Sequence, residues 1–531
     1  MASTKYRKYL IFAITIYIVF FSVYSILRHY SYFTSAYDLG IFMQSLWTTS
    51  HGGGFFFNTP EWEDIGTYSH FGIHNQPILF LVVPIYWAFP SAETLLVLQT
   101  IALGFGAATL FRFANLILKD EKRALYLSMM YLMNPFIHGI NRFDFHPVSL
   151  IVPFIFLIPY YYETRQYIKM LLTSFLVLSA KEDAGLILIS LALLFMFKKH
   201  SHSSRTLSIQ SIQEFIKENV LEISLLLLGV IWIAFSIFIV IPHFNEGFYP
   251  YTHNSKLQRY VLSISRFHLD YVIVFVFVTL LGVAFIPVLN LRYLFASIFL
   301  WIELVAPSTK LTIITIGFQY LYMLVPFLFI TSVYTLSEIK EAKLVFFSSK
   351  NDSKQYPITL KKTIGLVFVA MLLFSPVFHV LSMPYISGLP IYKLIHIQKN
   401  WEPYSGVLDN ITEIVKKSSC PISTQNSIFP HLANSNITYV LLTPFNSSYI
   451  PNNSIILLAS SLPDYKITAG VLNNTRITEG RTYFVLNVNE IILSCYNQTG
   501  DYAKEFNAYI AKYTKQVINE CEQARSYASK K

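Results

Sequence analysis

The sequence predicts an α-helical polytopic membrane protein, with about eleven transmembrane helices within residues 1–384 and a small extracellular α/β domain at 385–531. Three observations predict it: an apolar composition, basic residues gathered in alternate connectors, and a cluster of N-glycosylation sequons in the tail.

Of 531 residues, 54% are hydrophobic, 16% aromatic and only 13% charged, with a mean hydropathy of +0.47. Soluble domains carry about twice that share of charge, so a bilayer is the solvent that fits. The net charge of +10 does not point to nucleic acid, because no basic stripe interleaves with aromatics. Cys420, Cys495 and Cys521 all lie near the C-terminus and so form no disulfide framework, although one pair could bridge if the tail is extracellular, and they lack zinc-ligand spacing.

Apolar runs read as spans cover 9–27, 93–118, 124–140, 147–162, 168–180, 184–197, 220–241, 269–289, 293–306, 315–336 and 363–381. Lys5, Arg7 and Lys8 precede the first, which is too long for a signal-peptide core and reads as a retained anchor with its N-terminus inside. Connectors on that side hold Lys119, Lys122, Arg123, Lys198, Lys199 and the run from Lys340 to Lys362, whereas outer loops before residue 363 hold only seven basic residues. The segment 77–89 is too short to span and contains Pro84, so it is expected as an interfacial or re-entrant helix. Letting it span, with 168–197 as one helix, weakens the charge asymmetry.

In the tail, Asn410, Asn436, Asn446, Asn452, Asn473 and Asn497 each begin an N-x-S/T sequon, a density expected of a glycosylated outer surface. Short β-branched runs (ITYVLLT, SIILLAS, RTYFVLNV) alternate with helical stretches there, as in a small α/β domain.

The outer loop 28–92 is rich in aromatics, Gly and His and nearly free of Lys and Arg. Asp38 opens its helical pattern YDLGIFMQSLW, either as a helix cap or as a carboxylate at the lipid–water boundary able to take a hydroxyl proton or hold a metal. A second outer turn, NRFDFHP, carries Arg142, Asp144 and His146; Asp144 and His146 could share a metal, or Asp144 could cap the next helix. His70 and His74 have helix-face spacing for zinc, but Gly72 and Pro77 weaken a continuous helix there. Lys181-Glu182-Asp183 interrupts about 30 apolar residues; each charge would cost about 2.5–3.5 kcal/mol at the bilayer centre, so the triplet is expected at a hairpin tip. There Lys181 either holds a lipid phosphate, with Arg142 as second cation, or is neutralised within the triplet. Glu303 is an intramembrane carboxylate without an obvious sequence partner.

YDLGIFMQSLW, HNQP, FDFHPVSL, SAKEDAG, QYLYMLVPFLFI and PISTQNSIFPHL, in that order from Tyr37 to His431, make the chain resemble the polytopic family catalogued as domain of unknown function 2079, common in archaea. That family is similar in turn to the GT-C glycosyltransferases, which use polyprenyl-phosphate sugars and place an acidic residue in the first outer loop. The resemblance implies that Asp38 and Asp144 match the acidic positions of the two loops and that Lys181 lies near a phosphate-facing basic residue. The sequence departs from the pattern in having Asp-Leu-Gly where a paired acidic dipeptide stands, and Glu182 where Gly often stands.

The expectation is therefore an inverting glycosyltransferase in the plasma membrane, acting on a lipid-linked sugar donor at the outer face. Asp38, Asp144 and His146 would be its catalytic residues, Lys181 and Arg142 its phosphate ligands, and Mg²⁺ or Mn²⁺ a metal for Asp38, Asp144 and His146 to hold. Membrane lipids and an acceptor are the expected partners, and nucleic acid is not. The alternatives are a transporter or lipid-handling protein with Glu303 and the Lys181 triplet along its path, and a surface-assembly protein whose tail does the work.

Overall fold

A computed structural model describes residues 3–200, 209–247, 250, 269–305, 319–338, 360–375, 408–417, 419, 421–441, 454–458 and 482–487. The chain divides into two compact units: Met1–Val23 with His74–Leu79 and Val97–Ile391, and Tyr24–Ile73 with Phe80–Leu96 and Tyr392–Lys531.

The first unit is helical. Four helices of the chain, Lys5–Tyr30, Ala92–Leu118, Val220–His243 and Gln319–Glu338, are long and apolar enough to cross a membrane, and shorter apolar helices include Pro147–Glu163, Tyr167–Leu178 and Thr363–Phe374. Their burial differs widely. Of the most apolar stretch of Gln319–Glu338, 89% is buried, whereas for Val220–His243 the figure is 17%. The second leaves a largely apolar surface for lipid tails.

The expected run 124–140 is two helices, Glu121–Leu132 and Pro135–Arg142. Pro135 has no N–H to continue the first, and Asn134 caps the second by accepting from Phe136 N at 2.9 Å. The run 293–306 likewise divides into Leu291–Phe295 and Ile298–Val305. Helices Gly185–Lys199 and Val220–Phe235 meet at two glycines: a Cβ on Gly229 would lie 2.5 Å from the Gly185 carbonyl oxygen. Small residues let two backbones approach this closely, which is how helices gain contact where no hydrophobic effect drives them together.

The second unit contains a four-stranded parallel sheet, β1 (Ile422–Thr424), β2 (Thr438–Val440), β3 (Ser454–Leu458) and β4 (Thr482–Asn487), in the order β2-β1-β3-β4. β1 pairs Ile422 with Thr438 on one side and with Ile455 on the other. β2, β3 and β4 fall in the three runs expected to be strands, and β1 adds a fourth.

Loop residues before helix Ala92–Leu118 share this unit's core with the tail. Ala36 N donates to Asn426 O at 3.0 Å and to its Oδ1 at 2.9 Å, and Gln44 Nε2 donates to Ser435 O at 2.7 Å. Thr59 Oγ1 donates to Thr438 O at 2.5 Å, and Tyr32 Oη to Asp409 Oδ1 at 2.7 Å. Two short helices, Ile41–His51 and Thr59–Ile65, build the loop, each closed by a left-handed glycine, Gly52 and Gly66. The ten-residue helix Leu79–Ala88 is about 15 Å long, half the thickness of a hydrocarbon core, and exposes Phe80, Leu81 and Trp87. Asn410 and Asn436 are exposed; the other four sequons and all three cysteines lie outside the described residues.

Candidate functional site

In the second unit Asp38 lies on a single wide turn, Ala36–Gly40, that leads into helix Ile41–His51. Ser35 supplies the cap, its Oγ accepting from Tyr37 N at 3.1 Å, so capping is not the task of Asp38. The turn is held on two sides, by Asn426 through Ala36 and by Phe429 against Gly40. A Cβ on Gly40 would lie 2.6 Å from the Phe429 ring, so only glycine fits. Asp38 itself is half-buried.

Two further carboxylates of the same loop are committed locally. Glu61 takes Asn58 Nδ2 at 2.6 Å and His70 Nδ1 at 2.8 and 3.0 Å. Glu63 is 5% exposed, and its Oε2 accepts from Val440 N, the last residue of β2, at 3.2 Å. Burial pushes the Glu63 carboxyl up to about 9, so near neutral pH it is an uncharged acid.

In the first unit the turn after helix Pro135–Arg142 carries Arg142, Asp144 and His146, with Arg142 and Asp144 buried. Gln99, from helix Ala92–Leu118, organises it. Its Nε2 donates to Asp144 O at 3.0 Å, with the Ile140 carbonyl at 3.2 Å, and its Oε1 accepts from His146 N at 2.9 Å and Ser149 Oγ at 3.0 Å. The cap position of the following helical turn falls to His146, not Asp144.

The triplet forms a mixed polar cluster in the same unit. Lys181 Nζ lies 2.8 Å from Asp183 Oδ2, and Tyr322 Oη donates to Asp183 Oδ1 at 2.6 Å. Glu182 takes His74 Nδ1 at 2.8 Å and Asn75 N at 3.2 Å. Glu303, partnerless as read from sequence, hydrogen-bonds Asp183. Neutralisation within the triplet is thus realised in this conformation: the ammonium a phosphate would need is engaged by Asp183.

His70 and His74 bind different carboxylates, Glu61 and Glu182, rather than converging on one ion. Among the described residues no group of three or more His, Cys, Asp or Glu side chains could hold a metal. Sequence reasoning missed Gln99, Glu63 and Asn426. Only Gln99 left a clear signal, as a polar residue within an apolar run.

No curated protein and no solved structure matches the chain. A family model described as "Predicted membrane protein (DUF2079)" matches residues 28–475, most of the chain and every residue of the candidate site just described, and the protein accordingly belongs to the DUF2079 family of membrane proteins.

Proposed function

We propose that this protein is a multi-pass plasma-membrane glycosyltransferase that moves a sugar from a polyprenyl-phosphate donor to a hydroxyl acceptor at the outer face, with inversion at the anomeric carbon. The observation that carries the reading is the Asp38 turn: a half-buried carboxylate on backbone fixed by Asn426 and Phe429, in a stretch, residues 29–111, without a single Lys or Arg. A carboxylate held in place on such a turn can accept a proton from a hydroxyl bound beside it.

In this reading Asp38 takes the acceptor hydroxyl proton as that oxygen bonds to the anomeric carbon. The bond from that carbon to the phosphate oxygen breaks, and the electron pair leaves with polyprenyl phosphate. Arg142 and Lys181 neutralise the departing phosphate, and Asp144 and His146 orient the sugar. Mg²⁺ or Mn²⁺ carried by the donor phosphate would add charge neutralisation, and the side-chain steps do not run through it. Removing a positioned general base typically costs about 10²–10⁴-fold in rate.

The test is mass spectrometry of lipid-linked sugars and surface glycans from cells lacking the protein, complemented with wild type or Asp38→Asn. Accumulated donor with a missing sugar, rescued by wild type only, is the expected result. Unchanged lipids and glycans would end the reading.

One observation favours a second reading, transport: the half-buried cluster of Lys181, Asp183 and Glu303 with Tyr322 is of the kind that carries coupling ions. It requires an ion-dependent flux abolished by Glu303→Gln.

A further inference from the structure

Helix Leu79–Ala88 lacks the charged face of an ordinary surface helix. From Pro77 to Ala92 the sequence holds no charged residue, and within the helix only Tyr86 and Trp87 carry polar side-chain atoms. A helix lying in a membrane surface normally turns an apolar side to the acyl chains and a charged side to water. Here Val82 and Tyr86 are buried, while Phe80, Leu81, Ile85, Trp87 and Phe89 are exposed, Trp87 to 64% and Phe89 to 69%. So dense an apolar patch on so short a segment calls for a cover other than water.

Where the charged face would stand, the second unit stands instead. Tyr86 Oη donates to Asn434 Oδ1 at 2.5 Å, and Phe80 joins the aromatic group of Phe55, Phe56 and Phe71, edge-on to Phe56 at 5.2 Å. The tail and the loop that carries Asp38 are thus both fastened to this one helix.

The backbone at the helix exit points to the same cover. Residues 87–90 are exposed, yet the carbonyl groups of Phe89 and Pro90 find donors inside the protein. Phe89 O accepts from Thr94 Oγ1 at 2.8 Å and from Ser91 N at 2.9 Å, and Pro90 O accepts from Asn434 Nδ2 at 2.7 Å. An exposed turn in water can leave its carbonyls to the solvent, whereas hydrocarbon requires that they be paired within the chain. Only Phe89, Pro90 and Ser91 separate this helix from Ala92–Leu118. That helix is about 40 Å long against about 30 Å of hydrocarbon, so its first turn lies at the membrane boundary. A helix of about 15 Å that ends at this boundary is too short to cross and runs along it.

We infer that Leu79–Ala88 lies in the acyl boundary of one leaflet, with Phe80, Leu81, Ile85, Trp87 and Phe89 against phospholipid, and that it seats the second unit on the bilayer. The occupant is lipid because the exposed face continues directly into a helix of membrane-spanning length, and Trp87 is the residue type that settles at the head-group level. The seat holds the Asp38 turn and the tail beside the membrane surface, where the head group of a lipid-borne substrate is presented. It stands whether or not the chain is a transferase.

The test is photocross-linking of the full chain in phospholipid nanodiscs, with benzoylphenylalanine in place of Leu81, Trp87 or Phe89 and the products read by mass spectrometry. Ile231, 61% exposed on Val220–His243, is replaced as the lipid-facing comparison and the exposed Asn436 of the tail as the aqueous one. Lipid adducts at all three positions, as at Ile231 and not at Asn436, are the expected result. Cross-links to the chain itself or to a second copy in place of lipid, or no adduct at any one of the three, overturn the inference. A milder variant covers misfolding by the bulky probe: the fluorescence that Trp87→Phe removes should be quenched more strongly by lipids brominated near the glycerol than by lipids brominated near the chain end. Fluorescence spared by both, or quenched more strongly by the deeper bromines, overturns it equally.

Discussion

Glu63 gives the sharpest test of how the loop and the tail are joined. Its carboxyl rises from 4.5 to about 9 in the folded unit because burial penalises the charged form, while its Oε2 accepts from Val440 N. The folded state therefore holds a proton that the opened state releases. The associated stability is complete below the ordinary pKa of 4.5 and is lost as pH rises through about 9. One proton's difference is worth about 1.4 kcal/mol per pH unit, so raising the pH from about 5 to about 8 weakens local folding by up to about 4 kcal/mol. Glu63→Gln keeps an acceptor for Val440 N and removes the titration. Hydrogen exchange of the full chain in nanodiscs, corrected for intrinsic exchange rates, should show the opening free energy of peptides covering Thr59–Ile65 and Thr438–Leu441 falling with pH in wild type and staying level in the variant. Equal slopes in the two proteins would refute the account, because the protonated carboxyl would then not be what couples this joint to pH.

Gln99→Ala strips the turn at Asp144 and His146 of a donor and an acceptor at once, leaving Asp144 O and His146 N with one partner fewer in a buried setting. A loss of about 2 kcal/mol or more in thermal stability in nanodiscs is expected, and an unchanged melting temperature would count against Gln99 as the organiser of that turn. Gly229→Leu should destabilise by at least about 1–3 kcal/mol, since the new side chain meets the Gly185 carbonyl, whereas Gly365→Leu, with nothing within 4 Å of its Cβ position, should be nearly silent in the same assay. Expressed in a glycosylating host, the chain should lose one glycan with Asn410→Gln and one with Asn436→Gln by gel mobility; no shift with either would contradict an outward-facing tail.

The sequence made the class of the protein plain, and for a physical reason: a bilayer imposes a demand on every residue of a span, so the signal is summed over many positions. Helix ends were harder. Asn134–Pro135 reads as a break only if the cap is weighed against the apolar run around it, and hydropathy averages over both. The tail's strands were visible where β-branched residues run together, in Thr438–Val440 and Ser454–Leu458, but β1 is three residues flanked by Pro421 and Gln425 and offers no periodicity. The site was legible as a set of residue types and not as an arrangement. Asp38 stood out because acids are scarce in such a chain. Asn426 did not, because one asparagine in a tail dense with asparagines carries no information until the fold brings it, 390 residues on, to the backbone of Ala36.

Lys181 is where two accounts of the first unit part. As a structural pair with Asp183, it compensates a carboxylate that also receives Tyr322 Oη, so Lys181→Met alone should cost about 3–5 kcal/mol by leaving that carboxylate unbalanced. Adding Asp183→Asn should return most of that stability, because a neutral amide needs no cation and still accepts from Tyr322. As a phosphate ligand, Lys181 has a second role that Asp183 cannot share: the ammonium must leave Asp183 when the donor arrives, and no change at Asp183 replaces it. The double variant therefore separates the two. If it is stable and also restores the surface glycans of cells lacking the protein, Lys181 serves only the fold and the departing phosphate is neutralised by Arg142 or another cation. If it is stable and the glycans stay missing, the ion pair is a resting state from which Lys181 is drawn, and Asp183 is the group that keeps a half-buried ammonium in place until a phosphate competes for it.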